Sequence, residues 1–341
     1  MAFDGKKTSI DDELCRNYFE FRFFDEERLF DMVMGWKNLF DAIAPDLVVF
    51  DHSPTALVAS KCISAKRVIF GTGFCSPPRM RLMPTIQPWA NPSLKRLQNS
   101  EKRVLQSING ALSKLGVPGL ENLSDLFDCD ENFLTTFKEL DHYQNREKVG
   151  YWGARMSMEQ GEDPVWPNTN DGPKIFAYLK EGYKNVNKVL EVLNNIEANV
   201  LVYATGFTPK LKAMFQTEKL VFSPKMLNLK KVCQNCELVI CHVGHATVAR
   251  ALLGGGIPVV MLPSQLEQFI MSVNVVRYGA ATMVKQNEEQ PDFAGVIHQA
   301  LNDENIRQKA KEFAARHAAF DQQKQIIGIV NRIEGLIAQG L

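Results

Sequence analysis

A chain of 341 residues is about twice the ~150 expected of one domain, so two domains are expected and a small disulfide-stapled module is excluded. A hydrophobic content of 45%, with 22 glycines and 16 prolines, excludes a disordered chain and allows real cores. Basic and acidic residues balance at 39 each, so no net field draws the chain to nucleic acid.

The opening Met1–Glu13 carries two lysines with no apolar stretch behind them, which predicts no secretory signal and a cytoplasmic protein. Seven scattered cysteines give no pairing framework and read as reduced thiols. Helical spacing follows within Ile10–Ala44, then a buried strand at Asp46–Phe50, a helix at Pro54–Ser64 and a second strand at Arg67–Phe70. Between Pro77 and Arg96, the cations Arg79, Arg81, Lys95 and Arg96 stand without an acid among Pro84, Pro88, Trp89 and Pro92. This reads as a solvated loop, with peripheral contact to an anionic lipid or membrane surface as the alternative. Two less distinct strand pieces are Phe133–Phe137 and Val149–Trp152.

From Arg155 to Pro173 the sequence turns polar and aperiodic, which predicts a linker over 156–172. Beyond it, strands at Ile175–Leu179, Val200–Ala204, Leu220–Phe222, Leu238–Cys241 and Val259–Leu262 are interleaved with helices at Lys184–Asn194, Asn228–Cys236, Val248–Leu253 and Leu266–Tyr278. The run Ala251–Pro263 is too short for the ~20 residues that span a bilayer, and Pro258 interrupts it. The stretch Asn302–Leu341 is helical, with Ile326, Ile327, Val330, Ile333 and Ile337 on the predicted packing face. Strand and helix in alternation predict an α/β protein of two doubly wound parallel-sheet domains, residues 1–155 and 173–341. The first opens on a helix where such a half normally opens on a strand, so it is expected to be incomplete.

The informative segment is Cys241-His242-Val243-Gly244-His245-Ala246-Thr247, followed by Arg250, Gly254-Gly255-Gly256, Pro258, Pro263 and Glu267-Gln268. A buried strand ends at Cys241, a Gly-containing turn follows, and Thr247 is placed to cap a helix. Unpaired amides and a helix dipole of roughly +0.5 charge make such a start an anion cradle, so a diphosphate is held without a metal and no cofactor is expected. Gly244 permits close backbone approach, Thr247 offers a hydroxyl, and the imidazole of His242 is placed to donate to a phosphate oxygen. Just beyond the next strand, Glu267 and Gln268 pair a carboxylate with an amide, which suits the neighbouring hydroxyls of a sugar. Cradle and hydroxyl reader together indicate a nucleotide-sugar. Cys233-x-x-Cys236 has half the spacing of a zinc site, but no second pair accompanies it.

At these residues the chain resembles two-domain GT-B glycosyltransferases of the UDP-glucuronosyl/UDP-glucosyltransferase superfamily, bacterial members in particular. The likeness is strongest from Leu220 to Val284. It implies two Rossmann-like domains facing a cleft, and inverting, metal-independent transfer of a sugar from a UDP- or dTDP-type donor to a hydroxyl of a small-molecule or lipid acceptor. It further implies that His242, Gly244, Ala246 and Thr247 contact the diphosphate and that Glu267 and Gln268 hold the sugar. Two departures stand out. Arg250 takes the place of a Glu that binds the ribose hydroxyls in the family, and an Arg cannot accept those bonds. Asp51 resembles the carboxylate that orients the family's catalytic His, yet no strand-Gly-His opening precedes it. The segment carrying the base is expected to be missing, so donor binding and turnover can separate. Two other readings stay open from the residues: a non-catalytic nucleotide-sugar-binding protein, and a UDP-sugar epimerase.

Overall fold

The computed structural model describes residues 21–147, 149–156, 160–285 and 290–339. The chain divides into two compact units. One holds the residues up to Thr135, Tyr143–Trp152 and those from Lys324 on, and the other holds Thr136–His142 and Gly153–Gln323.

The first unit contains a parallel three-stranded sheet in the order β1 (Leu47–Phe50), β2 (Lys66–Gly71), β3 (Glu131–Leu134). Helix α1 (Glu26–Ile43) begins where the carboxylate of Asp25 accepts from the Arg28 amide, and it packs against α2 (Pro54–Ala59) and α3 (Leu94–Lys114). Residues 10–20 of the predicted first helical stretch lie outside the described residues. The 21-residue α3 falls where the sequence shows mostly polar text, yet Val104, Ile108, Ala111 and Leu112 bury one of its faces. Val149–Trp152 contributes only an isolated bridge from Leu134 to Tyr151.

In the second unit six parallel strands lie in the order β6-β5-β4-β7-β8-β9, where β4 is Lys174–Lys180, β5 Asn199–Thr205, β6 Leu220–Phe222, β7 Leu238–Cys241, β8 Val259–Met261 and β9 Ala281–Met283. The connecting helices are α4 (Val186–Asn195), α5 (Pro209–Phe215), α6 (Leu229–Cys233), α7 (His245–Leu253), α8 (Leu266–Tyr278), α9 (Phe293–Asn302) and α10 (Glu304–Arg316). Alternate residues feed two cores. Phe176, Val239, Cys241 and Met261 enter one, and Ile175, Ala177, Ile240 and Val260 enter the other. Burial on both faces is what a parallel sheet demands and explains why its strands read as unbroken apolar runs. Gly256, with φ +66, ends the turn after α7 against α10, where a Cβ would fall 2.6 Å from the Cα of Lys311.

The unit boundaries differ from the predicted ones in two places. The 156–172 stretch is not a free linker. Its Glu162 amide bonds to the Met226 carbonyl at 2.9 Å, Lys231 reaches Asp163 at 2.6 Å, and Trp166 packs on the core that holds Phe176 and Val239. Its polar residues are anchors. The last helix, α11 (Gln322–Ala338), joins the first unit from Lys324 on, where Ile329, Ile333 and Leu336 meet Val68, Phe133 and Trp152. Ile326, Ile327 and Val330, expected inside, are 45%, 57% and 45% exposed. The buried face lies about a quarter turn away, because Gln325 donates to the Trp152 carbonyl at 2.9 Å and Arg332 pairs with Glu131 at 2.7 Å. Among the described residues no helix is long and apolar enough to cross a membrane.

Candidate functional site

The second sheet reverses its winding between the neighbouring strands β4 and β7. Ligands of open parallel sheets bind beyond the carboxyl ends of the strands at such a point. Helices α4, α7 and α8 begin there, after β4, β7 and β8, and none of the three has a side-chain cap. Elsewhere in the unit α5, α6, α9 and α10 are capped by Thr208, Asn228, Asp292 and Asp303.

The start of α7 differs from the expected one. Gly244, not Thr247, is its cap, and Thr247 lies in the first turn with its amide bonded to the Gly244 carbonyl at 2.9 Å. The turn closes early because Gly244, at φ −65 and ψ 124, already has cap geometry. Glycine brings no oxygen to the amides of His245 and Ala246, which therefore present their hydrogens outward. A Cβ at Gly244 would meet only the Thr247 hydroxyl, at 3.6 Å, so space is not what favours glycine here. The buried Val243 before it is held at φ +56, a conformation costing a β-branched residue on the order of 1–3 kcal/mol.

His242 does not present a ring N–H to a ligand, contrary to expectation. Its Nε2 accepts from the Lys180 amide at 3.1 Å, which requires that nitrogen to be unprotonated. The proton then sits on Nδ1, 3.1 Å from the Leu262 carbonyl it donates to. The imidazole joins the ends of β4, β7 and β8, and burial lowers its pKa, so it stays neutral. His245 is also neutral, because burial holds its pKa down to about 4, and its Nε2 lies 2.7 Å from the Thr136 hydroxyl. Positive potential at this site thus comes from backbone amides, not from imidazolium.

On the next loop, the side-chain carbonyl of Gln268 accepts from both the amide and the hydroxyl of Ser264, at 2.7 and 2.9 Å, which fixes the turn into α8. Glu267 is half-buried, with Oε1 3.9 Å from Nε2 of His142. The half-buried Arg250 lies on α7. In the first unit, exposed Asp51 follows β1, and its Oδ1 would be 3.7 Å from a Cβ on Gly71 at the end of β2. His52 is exposed at φ +46. Cys233 and Cys236 are buried, and the Cys233 thiol and burial push the Cys236 thiol well up. Among the described residues no group of three or more His, Cys, Asp or Glu is gathered for a metal. Thr136 and His142, which sequence reasoning did not single out, reach the helix starts from over 100 positions away (His245 is 109 from Thr136), and no local pattern marks them.

Residues 182–327 match the model of the glycosyltransferase family 28 C-terminal domain. A PGL/p-HBAD biosynthesis glycosyltransferase of Mycobacterium tuberculosis is 22% identical over 309 residues, covering 86% of this chain and 71% of the relative. A PGL/p-HBAD biosynthesis rhamnosyltransferase of Mycobacterium bovis is 22% identical, covering 86% and 68%. Among solved structures, the glycosyltransferase VinC in complex with dTDP superposes with a TM-score of 0.66 at 13% identity, covering 93% of this chain and 79% of that one. The spinosyn rhamnosyltransferase SpnG with spinosyn aglycone gives 0.60 at 14% identity, covering 91% and 81%. These solved structures share the fold: α/β with parallel sheets. The fold, this C-terminal domain and these relatives together make the chain a glycosyltransferase with the GT-B fold.

Proposed function

We propose that the donor diphosphate sits on the start of α7, on the amides of His245 and Ala246 and the hydroxyl of Thr247, with Gly244 allowing close approach. The observation that carries this is the bare helix start at the winding reversal of the sheet. Glu267 and the amide of Gln268 receive the hydroxyls of the sugar. Charge that grows on the leaving diphosphate is stabilised by preorganised amides, so the transfer needs no metal, and the anomeric centre inverts. The role of His242 is to hold the three strand ends in register beneath the cradle.

The nucleotide we propose is dTDP. Arg250 cannot accept hydrogen bonds from ribose hydroxyls, which removes a reason to prefer UDP, and a structural neighbour binds dTDP. The acceptor is a hydroxyl of a small molecule or lipid, and Asp51 corresponds to the carboxylate that orients the base in the resembled family. Exposed Met80, Trp89 and Leu94 suit peripheral contact with a lipid surface, although Arg79 is already paired with Asp128 at 2.6 Å.

Titration calorimetry tests the assignment. dTDP should bind saturably and more tightly than UDP, added chelator should change nothing, and Thr247→Val should weaken binding about tenfold, the size expected for loss of one charged hydrogen bond. No heat with dTDP, UDP or their sugar conjugates at millimolar dose would reject the donor site. For Asp51, replacement by Asn should leave dTDP affinity intact while lowering transfer by roughly 10²-fold or more.

A further inference from the structure

Residues Thr136–His142 belong to the second unit although they follow the last strand of the first. This seven-residue strap is tied at four points. The Thr136 hydroxyl meets Nε2 of His245 at 2.7 Å, and the Glu139 carboxylate is bonded by Arg316 and His317 at the end of α10. The Asn274 side chain of α8 donates to the Asp141 carbonyl at 2.8 Å, and His142 faces Glu267 at 3.9 Å. Three of the four ties thus go to α7 or α8, two of them within the first two residues of the helix.

The last tie is the unusual one. The His142 side chain is 1% exposed, whereas that of Glu267 is 41% exposed. A ligand can therefore reach the carboxylate and cannot reach the imidazole behind it. A half-exposed Glu has three rotatable bonds, and ordering such a side chain costs rotamer entropy. An imidazole packed at its back restricts that freedom before the ligand arrives, while the outer side of the carboxylate stays exposed to solvent.

We propose that His142 is a positioning residue for the sugar end of the donor site, acting through Glu267, and that the strap carrying it is a built part of that site. The inference rests on the donor reading above and deepens it. It assigns a determinant of the hexose, as distinct from the nucleotide, to a residue that the ligand never touches.

The experiment compares dTDP with dTDP-glucose by calorimetry on the full chain, with unaltered protein, His142→Phe, His142→Gln, Glu267→Gln and the double variant His142→Phe/Glu267→Gln. The expected result is a loss of about tenfold for dTDP-glucose in His142→Phe with dTDP itself unchanged within about twofold, the size of one coupled pair. His142→Gln should restore most of the loss, and the double variant should be no worse than Glu267→Gln alone. In transfer assays the Phe variant should raise KM for the donor more than it lowers kcat. Equal losses for both ligands, no loss for either, or full additivity in the double variant would overturn the proposal. Unchanged dTDP binding also reports that each variant is folded. If the Phe variant does not fold, His142→Ala must give the same split between the two ligands. Failure of the unaltered chain to bind either ligand is a different result, which rejects the donor reading and this inference together.

Discussion

Two helix starts in the second unit differ in a way that separates stability from function. Helix α10 begins with Asp303 accepting from the Asn305 amide at 2.9 Å, has Glu304 in its first turn, and ends on Arg316. Every one of those choices favours the helix dipole and satisfies the free amides. Helix α7 begins with a bare glycine, has no acid in its first turn, and follows a valine at positive φ. Each of those choices costs stability. The contrast teaches that the anion site proposed on α7 would be built by withholding a cap, so that the uncapped start beyond a central strand marks it better than the histidines around it.

The sharpest way to break the contrast is to give α7 the cap of α10. Gly244→Asp fits the backbone and the space, so it should stabilise the fold by about 0.3 kcal/mol. It should also weaken dTDP binding by 10²-fold or more, about 2.7 kcal/mol, because a carboxylate occupies the amides and repels the diphosphate. Calorimetry and urea unfolding of the same sample would show the opposite signs, and a variant that binds normally would remove the cradle from α7.

The far end of α10 supplies the next effect. Burial alone would raise the pKa of Glu139, but hydrogen bonds from His317 and Arg316 hold it down to about 2. A carboxylate depressed below its ordinary value of 4.5 contributes stability that is fully present above about pH 4.5 and is lost as pH falls toward 2. Glu139→Gln should therefore cost about 2 kcal/mol at pH 7, a hydrogen bond to a charged group, with the gap to the unaltered chain closing below pH 4.5. Urea midpoints taken across that range check the sign.

A smaller effect is expected at the other end of the same helix. Asp303→Ala removes only a cap, so it should cost about 1 kcal/mol and leave dTDP affinity unchanged, the converse of Gly244→Asp. The smallest effect concerns His245. Its pKa of about 4 keeps it neutral, so the affinity of His245→Asn for dTDP-glucose should follow that of the unaltered chain within about twofold from pH 6 to 8. Tighter binding at pH 6 in the unaltered chain alone would reveal a cationic imidazole at the cradle.

Much of this frame can be read in the sequence because its signals are local. The limits of β6, β7 and α8 match their apolar runs, and the Gly254 stop after α7 is where the glycines predict it. Short β9 escapes because Ala281-Thr282-Met283 is not an unbroken apolar run as Leu220–Phe222 is, and α3 escapes because its apolar positions are sparse among charges. At the site, residue types suggest the cradle that is proposed above, but the use of each ring nitrogen of His242 depends on Lys180 and Leu262, which lie 62 and 20 positions away. A histidine beside a glycine turn looks the same in sequence whether it serves a ligand or three strand ends. The strap is less legible still, since each of its side-chain ties spans 109 residues or more and none follows a spacing rule.

The route of the backbone has one more consequence. It passes from one unit to the other at 135/136, 142/143, 152/153 and 323/324, so neither unit is a single continuous piece. Exchanging halves with a homologous enzyme at one junction near residue 160 would transplant the second sheet without its strap and the first sheet without its closing helix. A working hybrid needs residues 136–142 to travel with the second parent and 324–338 with the first, and recombination at one crossover delivers neither.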